Sequence, residues 1–179
     1  LPNIIETVEY FIGTAAIGAI WSSCSPDFGV KGVIERFSQI KPKILIITDR
    51  YYYNGNEINV IERLPEILKK IKSIKRVVVL SYPGKNLTKF KKIKSIKYFY
   101  LNDIKNIKKT NHEFKKFSFN HPLAILYSSG TTGKPKCICH RSGAVLLQHL
   151  KEHQLHCEIK PGDNIFYFTT CGWMMWNWL

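Results

Sequence analysis

Between Tyr127 and Lys136 the chain reads Tyr-Ser-Ser-Gly-Thr-Thr-Gly-Lys-Pro-Lys, a run dominated by small, hydroxylated and cationic side chains. Gly130 and Gly133 let the backbone approach an anion closely and adopt positive φ, so that successive amide N–H groups can converge on phosphate oxygens. Ser128, Ser129, Thr131 and Thr132 add hydroxyl donors, and Lys136 adds a compact positive charge. This combination suits the β- and γ-phosphates of ATP. It is not the common P-loop, in which Gly-Lys is followed by Ser or Thr and leads straight into a helix. Here Pro135 follows Gly133-Lys134, and strands are expected on both sides, Leu123 to Tyr127 before the loop and Lys136 to His140 after it. The length of the run separates it from an ordinary Gly/Thr surface turn.

Other groups with chemical potential are weaker. His149-Leu150-Lys151-Glu152-His153 fits a His-x-x-Glu-His zinc pattern on an expected helix, Gly143 to His156, with Cys157 next to it. That helix follows a phosphate loop and no downstream acidic ligand is available, so no metal site is expected. Cys137 and Cys139 alternate along a strand and face the same side, which rules out an ordinary disulfide between them; buried small hydrophobes are the expected role. Tyr51-Tyr52-Tyr53 is expected to be an aromatic cluster at a loop edge, closing the sheet, in preference to a stacking surface for bases.

The elements that must position the loop read as follows. Apolar residues at mixed three and four spacing from Ile4 to Ala19 predict a helix buried on a wide face, and Ala19 to Ser23 a short buried strand. Ser25, Pro26 and Asp27 carry the marks of a helix start, with Ser25 as N-cap, and that helix runs to about Gln39. The aliphatic run Ile44-Leu45-Ile46-Ile47 predicts a parallel strand covered on both faces. Asn54-Gly55-Asn56 predicts a turn, Glu57 to Lys72 a helix and Arg76 to Leu80 a β-branched strand. Strand, helix and strand in this order imply a right-handed crossover. The fold class is therefore α/β, a helix-flanked, mainly parallel sheet. Ser81 to Asn120 reads as a peripheral, solvated, lysine-rich insertion with a Pro83-Gly84 turn and a strand candidate at Tyr98 to Leu101. A further strand is expected at Asn164 to Thr169. No repeats and no long linker divide the chain.

Composition bounds the rest. Hydrophobic residues make up 45% and charged residues 22% of the 179, a globular balance. The longest apolar stretch, Ala15 to Trp21, is far short of the ~20 residues a membrane-spanning helix needs. The net charge of +14 would ordinarily suggest nucleic acid or an anionic surface. Most of the excess, however, lies between Lys69 and Lys116, where Lys alternates with Ile, Asn and Tyr and arginine is scarce. That pattern suggests an A+T codon bias, and neither a nucleic-acid nor a membrane partner is expected. Five cysteines, Cys24, Cys137, Cys139, Cys157 and Cys171, form an odd set without regular spacing, which points to a reducing, cytoplasmic setting. The chain begins at Leu1 without an initiator methionine and stops within an apolar run, Trp176-Asn177-Trp178-Leu179, so it is expected to be part of a longer protein.

Tyr127 to Lys136 resembles the signature of the acyl- and aryl-adenylate-forming superfamily. Gly18 to Gly29, Gln148 to His153 and Thr169 to Trp178 narrow the resemblance to the short-chain acyl-CoA synthetases that activate acetoacetate. The resemblance runs nearly end to end, faltering only in the lysine-rich stretch, and covers roughly a quarter of a family member. It implies that residues 1–179 are a partial N-terminal AMP-binding domain without its C-terminal domain. It further implies acetoacetate, ATP and CoA as substrates, Mg²⁺ as the accompanying ion, and acetoacetyl-CoA, AMP and pyrophosphate as products. The loop Ser128 to Lys136 would hold the ATP phosphates, and Trp173, Met174 and Met175 would line the acyl pocket. Trp21, Ser22 and Ser23 fall where related acetyl-CoA synthetases approach the CoA nucleotide, but the arginine those enzymes use has no counterpart near Asn54-Gly55-Asn56. The resembled family uses no zinc at the His149 to His153 string. Its ribose-binding aspartate, hinge and adenylation lysine would lie beyond Leu179, so no catalytic residue is expected among these residues and residues 1–179 alone are expected to be inactive. Three alternatives remain at this stage: a sister enzyme activating acetate, propionate or another short acid, a basic nucleic-acid-binding module, and a truncated pseudoenzyme.

Overall fold

The computed structural model describes residues 1–107, 113–128 and 133–179. Its first helix, α1 (Ile5–Ala16), ends at Ile17. The expected burial on a wide face does not hold: Ile5, Val8 and Ile12 are exposed, Thr7 is the buried position, and Phe11 carries the packing through edge-on contacts with Trp21 and Trp176. The strand expected at Ala19 to Ser23 shrinks to one ladder step. Trp21 N–H donates to Leu123 O at 3.0 Å and Ile125 N–H to Trp21 O at 2.8 Å.

Helix α2 (Val30–Ile40) starts four residues later than the Ser25-Pro26 signal predicts, with Gly29 as N-cap. Ser25 is instead buried, and its carbonyl closes a tight turn by accepting from Phe28 N–H. A tertiary contact has taken the residue that local chemistry would make a cap.

Strand β1 (Ile44–Thr48) leads into β2 (Arg50–Tyr53), and β3 (Asn56–Asn59) returns antiparallel to β2. The reversal is a two-residue turn with positive φ at Asn54 (47°) and Gly55 (74°), the backbone that Asn-Gly favours between twisted strands. The expected helix from Glu57 to Lys72 is thus split. Glu57 lies in β3, a single 3₁₀ turn follows at Ile61–Arg63, and α3 spans only Leu64–Lys70, with Pro65 in its first turn. Tyr51-Tyr52-Tyr53 belongs to β2: Tyr51 is buried, Tyr52 points to the opposite face, and Tyr53, on the face of Tyr51, is exposed at the strand end beside the turn.

Strands β4 (Arg76–Leu80) and β5 (Lys97–Tyr100) complete a three-stranded parallel sheet of order β1-β4-β5. Ile44 to Thr48 pair in register with Arg76 to Leu80, and Arg76 to Val79 with Lys97 to Tyr100. Val77 to Leu80 are all buried, so the central strand is covered on both faces. Leu64, Ile67 and Leu68 of α3 and Phe37 of α2 pack with them in one core. The lysine-rich stretch is less peripheral than expected, because Phe90, Ile93, Ile96, Tyr98 and Tyr100 pack against that core. A short helix, α4 (Leu101–Lys105), follows β5.

Strand β6 (Pro122–Ser128) and β7 (Lys136–Arg141) form an antiparallel hairpin, after which come α5 (Ser142–Lys151), one π-helical turn at Glu152–His156, and α6 (Met174–Trp178). The strand expected at Asn164 to Thr169 does not form. This segment pairs with no strand among the described residues, and Phe166 and Phe168 are each 87% exposed.

Candidate functional site

The hairpin register places Ser128 directly opposite Lys136, so these two residues close the stem of the loop. Ser129, Gly130, Thr131 and Thr132 lie outside the described residues. On the returning side Gly133 has φ of +133°, and a Cβ built on it would meet nothing within 4 Å. That backbone is strained for any residue but glycine, and the open space beside it leaves the main chain accessible to an anion. Pro135 is buried and has no N–H to continue the ladder; its carbonyl accepts a 2.9 Å hydrogen bond from Gln39 Nε2 at the end of α2. Lys136 is exposed at the stem, with its charge free to meet a ligand.

Tyr127, one step down the stem, fixes the hairpin to the body of the molecule. Ser22 Oγ donates to Ile125 O at 2.8 Å and lies 3.1 Å from Tyr127 Oη. The Arg36 guanidinium sits 4.3 Å from the Phe28 ring centroid and 5.8 Å from that of Tyr127, joining α2 to β6. Burial pushes the Tyr127 phenol well above its ordinary range, more than the hydrogen bond with Ser22 draws it back, so the group stays neutral. Its role in this geometry is that of a buried strut.

The segment 169–176 reaches the same 21–25 segment from the other side. Ser23 Oγ donates to Cys171 O, and Cys171 Sγ lies 2.9 Å from Leu1 O and 3.5 Å from Cys24 O. Burial pushes the Cys24 thiol up to about 12, the Arg36 charge opposing it only in part. Gly172 packs so tightly that a Cβ there would lie 2.8 Å from Ser25 N and 3.0 Å from Ser25 Cβ. Trp176 Nε1 donates to Asn3 Oδ1 at 3.0 Å, and Asn3 Nδ2 in turn donates to Thr169 O at 2.6 Å. With this segment fixed, Trp173, Met174 and Met175 project outward, 63%, 50% and 37% exposed. Within residues 1–179 they form an aromatic and thioether wall that no other described residue covers.

The 21–25 segment therefore bridges the stem of the loop and the Trp-Met wall. Trp21 and Ser23 are buried and the hydroxyls of Ser22 and Ser23 are occupied internally, so the side chains at the positions with a CoA resemblance hold the scaffold together. Among the described residues no hydrogen bond or ring contact links Gly133 to Lys136 with Trp173 to Met175. Sequence reasoning missed Gln39, Arg36 and Gly172. Gln39 and Arg36 carry no local signal because their partners lie far along the chain, whereas Gly172, flanked by bulky residues, offered the hint that glycines at close approaches give.

One expectation changes. Cys137 and Cys139 are exposed, not buried: among the described residues β7 pairs only with β6, and nothing covers the strand face that bears them. His149 and His153 have ring centroids 6.1 Å apart, and His153 packs edge-on against Trp178 at 4.7 Å. Burial and then the neighbouring His153 hold the His149 imidazole below its usual range. Among the described residues no group of three or more His, Cys, Asp or Glu side chains converges as metal ligands do.

Beside a three-stranded parallel sheet the chain carries a hairpin closed by Ser128 and Lys136, and the sequence profile of the AMP-binding enzyme family matches residues 1–178. The chain belongs to that family. It is 46% identical over 179 residues to the acetoacetyl-coenzyme A synthetase of Rhizobium meliloti (strain 1021) and 48% identical over 182 residues to the acetoacetyl-CoA synthetase of Gallus gallus. Each match covers 100% of this chain and 27% of the relative. The solved structure of the acetoacetyl-CoA synthetase from Streptomyces lividans superposes with a TM-score of 0.87 at 36% identity, over 100% of this chain and 26% of that one. The chain thus spans about a quarter of the length of the proteins it matches. Among the described residues no helix is long and apolar enough to cross a membrane.

Proposed function

We propose that residues 1–179 form part of the large N-terminal domain of an acetoacetate–CoA ligase and supply its ATP phosphate-binding loop and one wall of its acyl pocket. The observation that carries this reading is the hairpin loop closed by Ser128 and Lys136, with an open, positive-φ Gly133, in a chain alike from end to end to acetoacetyl-CoA synthetases. In the proposed reaction the acetoacetate carboxylate attacks the α-phosphorus of ATP and pyrophosphate leaves. The thiol of CoA then displaces AMP from the acyl-adenylate to give acetoacetyl-CoA. The loop's part is positional and electrostatic. Amides and hydroxyls of Ser128, Ser129, Gly130, Thr131, Thr132 and Gly133 hold the β- and γ-phosphates, and Lys136 offsets their charge. Mg²⁺, when bound, neutralises further phosphate charge. Trp173, Met174 and Met175 limit the acyl chain by volume, at roughly 1–3 kcal/mol per methylene. The reading places the protein in the cytoplasm, supported by cysteines without disulfide spacing, and includes no nucleic-acid or membrane partner.

The test is AMP release by the full-length protein containing this chain, with acetoacetate, acetate, propionate and butyrate compared. Acetoacetate is expected to have a kcat/KM at least about tenfold above the others, a difference of ~1.4 kcal/mol. Equal or higher values for acetate or propionate would assign the sister activity. Lys136→Ala in the same protein is expected to lower kcat/KM for ATP about a hundredfold. Residues 1–179 alone are expected to give no turnover.

A further inference from the structure

The lysine-rich side of the molecule carries a cavity of about 220 Å³ between the end of α3 and the turn that precedes β5, sharing no lining residue with the phosphate loop or the Trp-Met wall. Its floor is aliphatic, made by Leu68, Ile74, Ile93 and Ile96, of which Leu68 and Ile74 are almost fully buried. Its rim is cationic, formed by Lys69, Lys72 and Lys75. Among the described residues none of these ammonium groups lies within ion-pair distance of a carboxylate, although Glu66 stands one helical turn from Lys69 and Lys70. Lysine stems can lie along an apolar rim while their charged ends reach over it.

We propose that this cavity binds a free alkyl carboxylate, with its tail on the four aliphatic side chains and its head among the three lysines. The lysine rim and Ser95 can donate to inorganic phosphate, but phosphate would leave the aliphatic floor uncovered, and a tail is what such a floor recognises. The volume lies below the ~300 Å³ at which drug-sized pockets begin, which limits the tail to a short or medium chain. Helix α3 ends here at Ile71, whose N–H bonds Ile67 O, and its carbonyl end contributes about half a negative charge that weakens the pull of the lysines on an anion. The three cations exceed that half charge and retain a net attraction for a monoanion. Nucleic acid is disfavoured because the lining holds neither an aromatic platform nor an arginine.

The test uses the full-length protein containing this chain, labelled with ¹³C at isoleucine δ methyl groups and titrated with octanoate. Saturable shifts are expected at Ile74, Ile93 and Ile96, with the exposed α1 residues Ile5 and Ile12 unmoved. The triple variant Lys69→Glu/Lys72→Glu/Lys75→Glu is expected to weaken binding at least about tenfold while its unliganded spectrum stays native. Octanol, which has the tail without the charge, should bind about tenfold more weakly than octanoate to the unmodified chain. Parallel shifts at Ile5 and Ile12 would show general apolar adsorption and overturn the proposal, as would undiminished binding by the triple variant. Shifts that appear only with phosphatidylglycerol vesicles, and not with free octanoate, would assign the surface to a membrane and overturn it equally.

Discussion

The parallel sheet of β1, β4 and β5 and the hairpin of β6 and β7 use similar aliphatic and aromatic residues, yet the first buries them and the second leaves many exposed. Around the sheet, Ile61, Leu64, Val77 and Leu80 are fully buried, with α2 and α3 packed over them. Around the hairpin, Ile138, Leu146, Leu147, Leu150 and the segment Ile165 to Phe168 face outward, as does the Trp173 to Met175 wall. The loop proposed to hold phosphate and the Trp173 to Met175 wall both belong to the second region. Within residues 1–179, about a quarter of the length of the matched relatives, the apolar side chains of the sheet are covered and those around the hairpin are not.

This contrast can be broken most severely at Asp49. Its carboxylate is buried and accepts from Thr88 N–H at 2.9 Å, Tyr82 N–H at 3.0 Å, Arg50 Nη2 at 3.0 Å and Thr88 Oγ1 at 3.1 Å. Asp49→Ala leaves Arg50 and two amides without that partner, and a loss of about 3 kcal/mol or more is expected in urea denaturation. A loss below about 1 kcal/mol would show that the sheet region does not depend on this node.

The same carboxylate gives the sheet region a pH dependence. Burial alone would raise its pKa, but the hydrogen bonds from Thr88, Arg50 and Tyr82 outweigh burial and hold it below the usual carboxylate value. A group with a depressed folded-state pKa contributes stability above its unfolded pKa of about 3.9 and loses it as pH falls through the lower folded value. Acid titration below about pH 4 should therefore destabilise the parent chain more steeply than Asp49→Asn. Identical slopes would remove Asp49 from this role.

Core truncation sharpens the comparison directly. Leu64→Ala, in the fully buried core, is expected to cost about 2–5 kcal/mol, whereas Leu147→Ala on the exposed face of α5 should stay within about 0.5 kcal/mol. Similar costs at both positions would mean that the two regions are not so different. Gly172→Ala tests the joint between them: its Cβ meets backbone at Ser25, and a loss of about 1–3 kcal/mol is expected by thermal unfolding. The mildest probe is thiol labelling. Cys137, Cys139 and Cys157 should react rapidly with an aromatic disulfide at pH 8, while the buried Cys24 and Cys171 react only on unfolding. Rapid labelling of all five would contradict a closed 21–25 and 171–172 joint.

The sequence by itself determined the strands at Ile44–Thr48 and Arg76–Leu80, the strand near Tyr98 and the two strands that bracket Tyr127 to Lys136, and it is the source of the proposed phosphate cradle between them. Each is a local property: unbroken β-branched runs read as buried strands, and a Gly/Thr/Lys run reads as a phosphate cradle from its backbone freedom and donors. Only tertiary structure decided the rest. Asn54-Gly55 had the composition of a hairpin turn, but the strands it joins are polar and aromatic rather than alternating, so the chain around Glu57 read as helix until pairing with Arg50 to Tyr53 fixed it. Ser25 had every local mark of a cap, yet it lost that role to a close contact with Gly172. Cys137 and Cys139 alternated as a strand should, but exposure depends on what covers a strand, which its own residues do not encode. The anchors of the loop, Gln39 on Pro135 and Arg36 beside Tyr127, span about ninety residues of chain. Periodicity and propensity act over a few residues and leave no trace of such pairs; the folded packing of α2 against β6 is what brings them together.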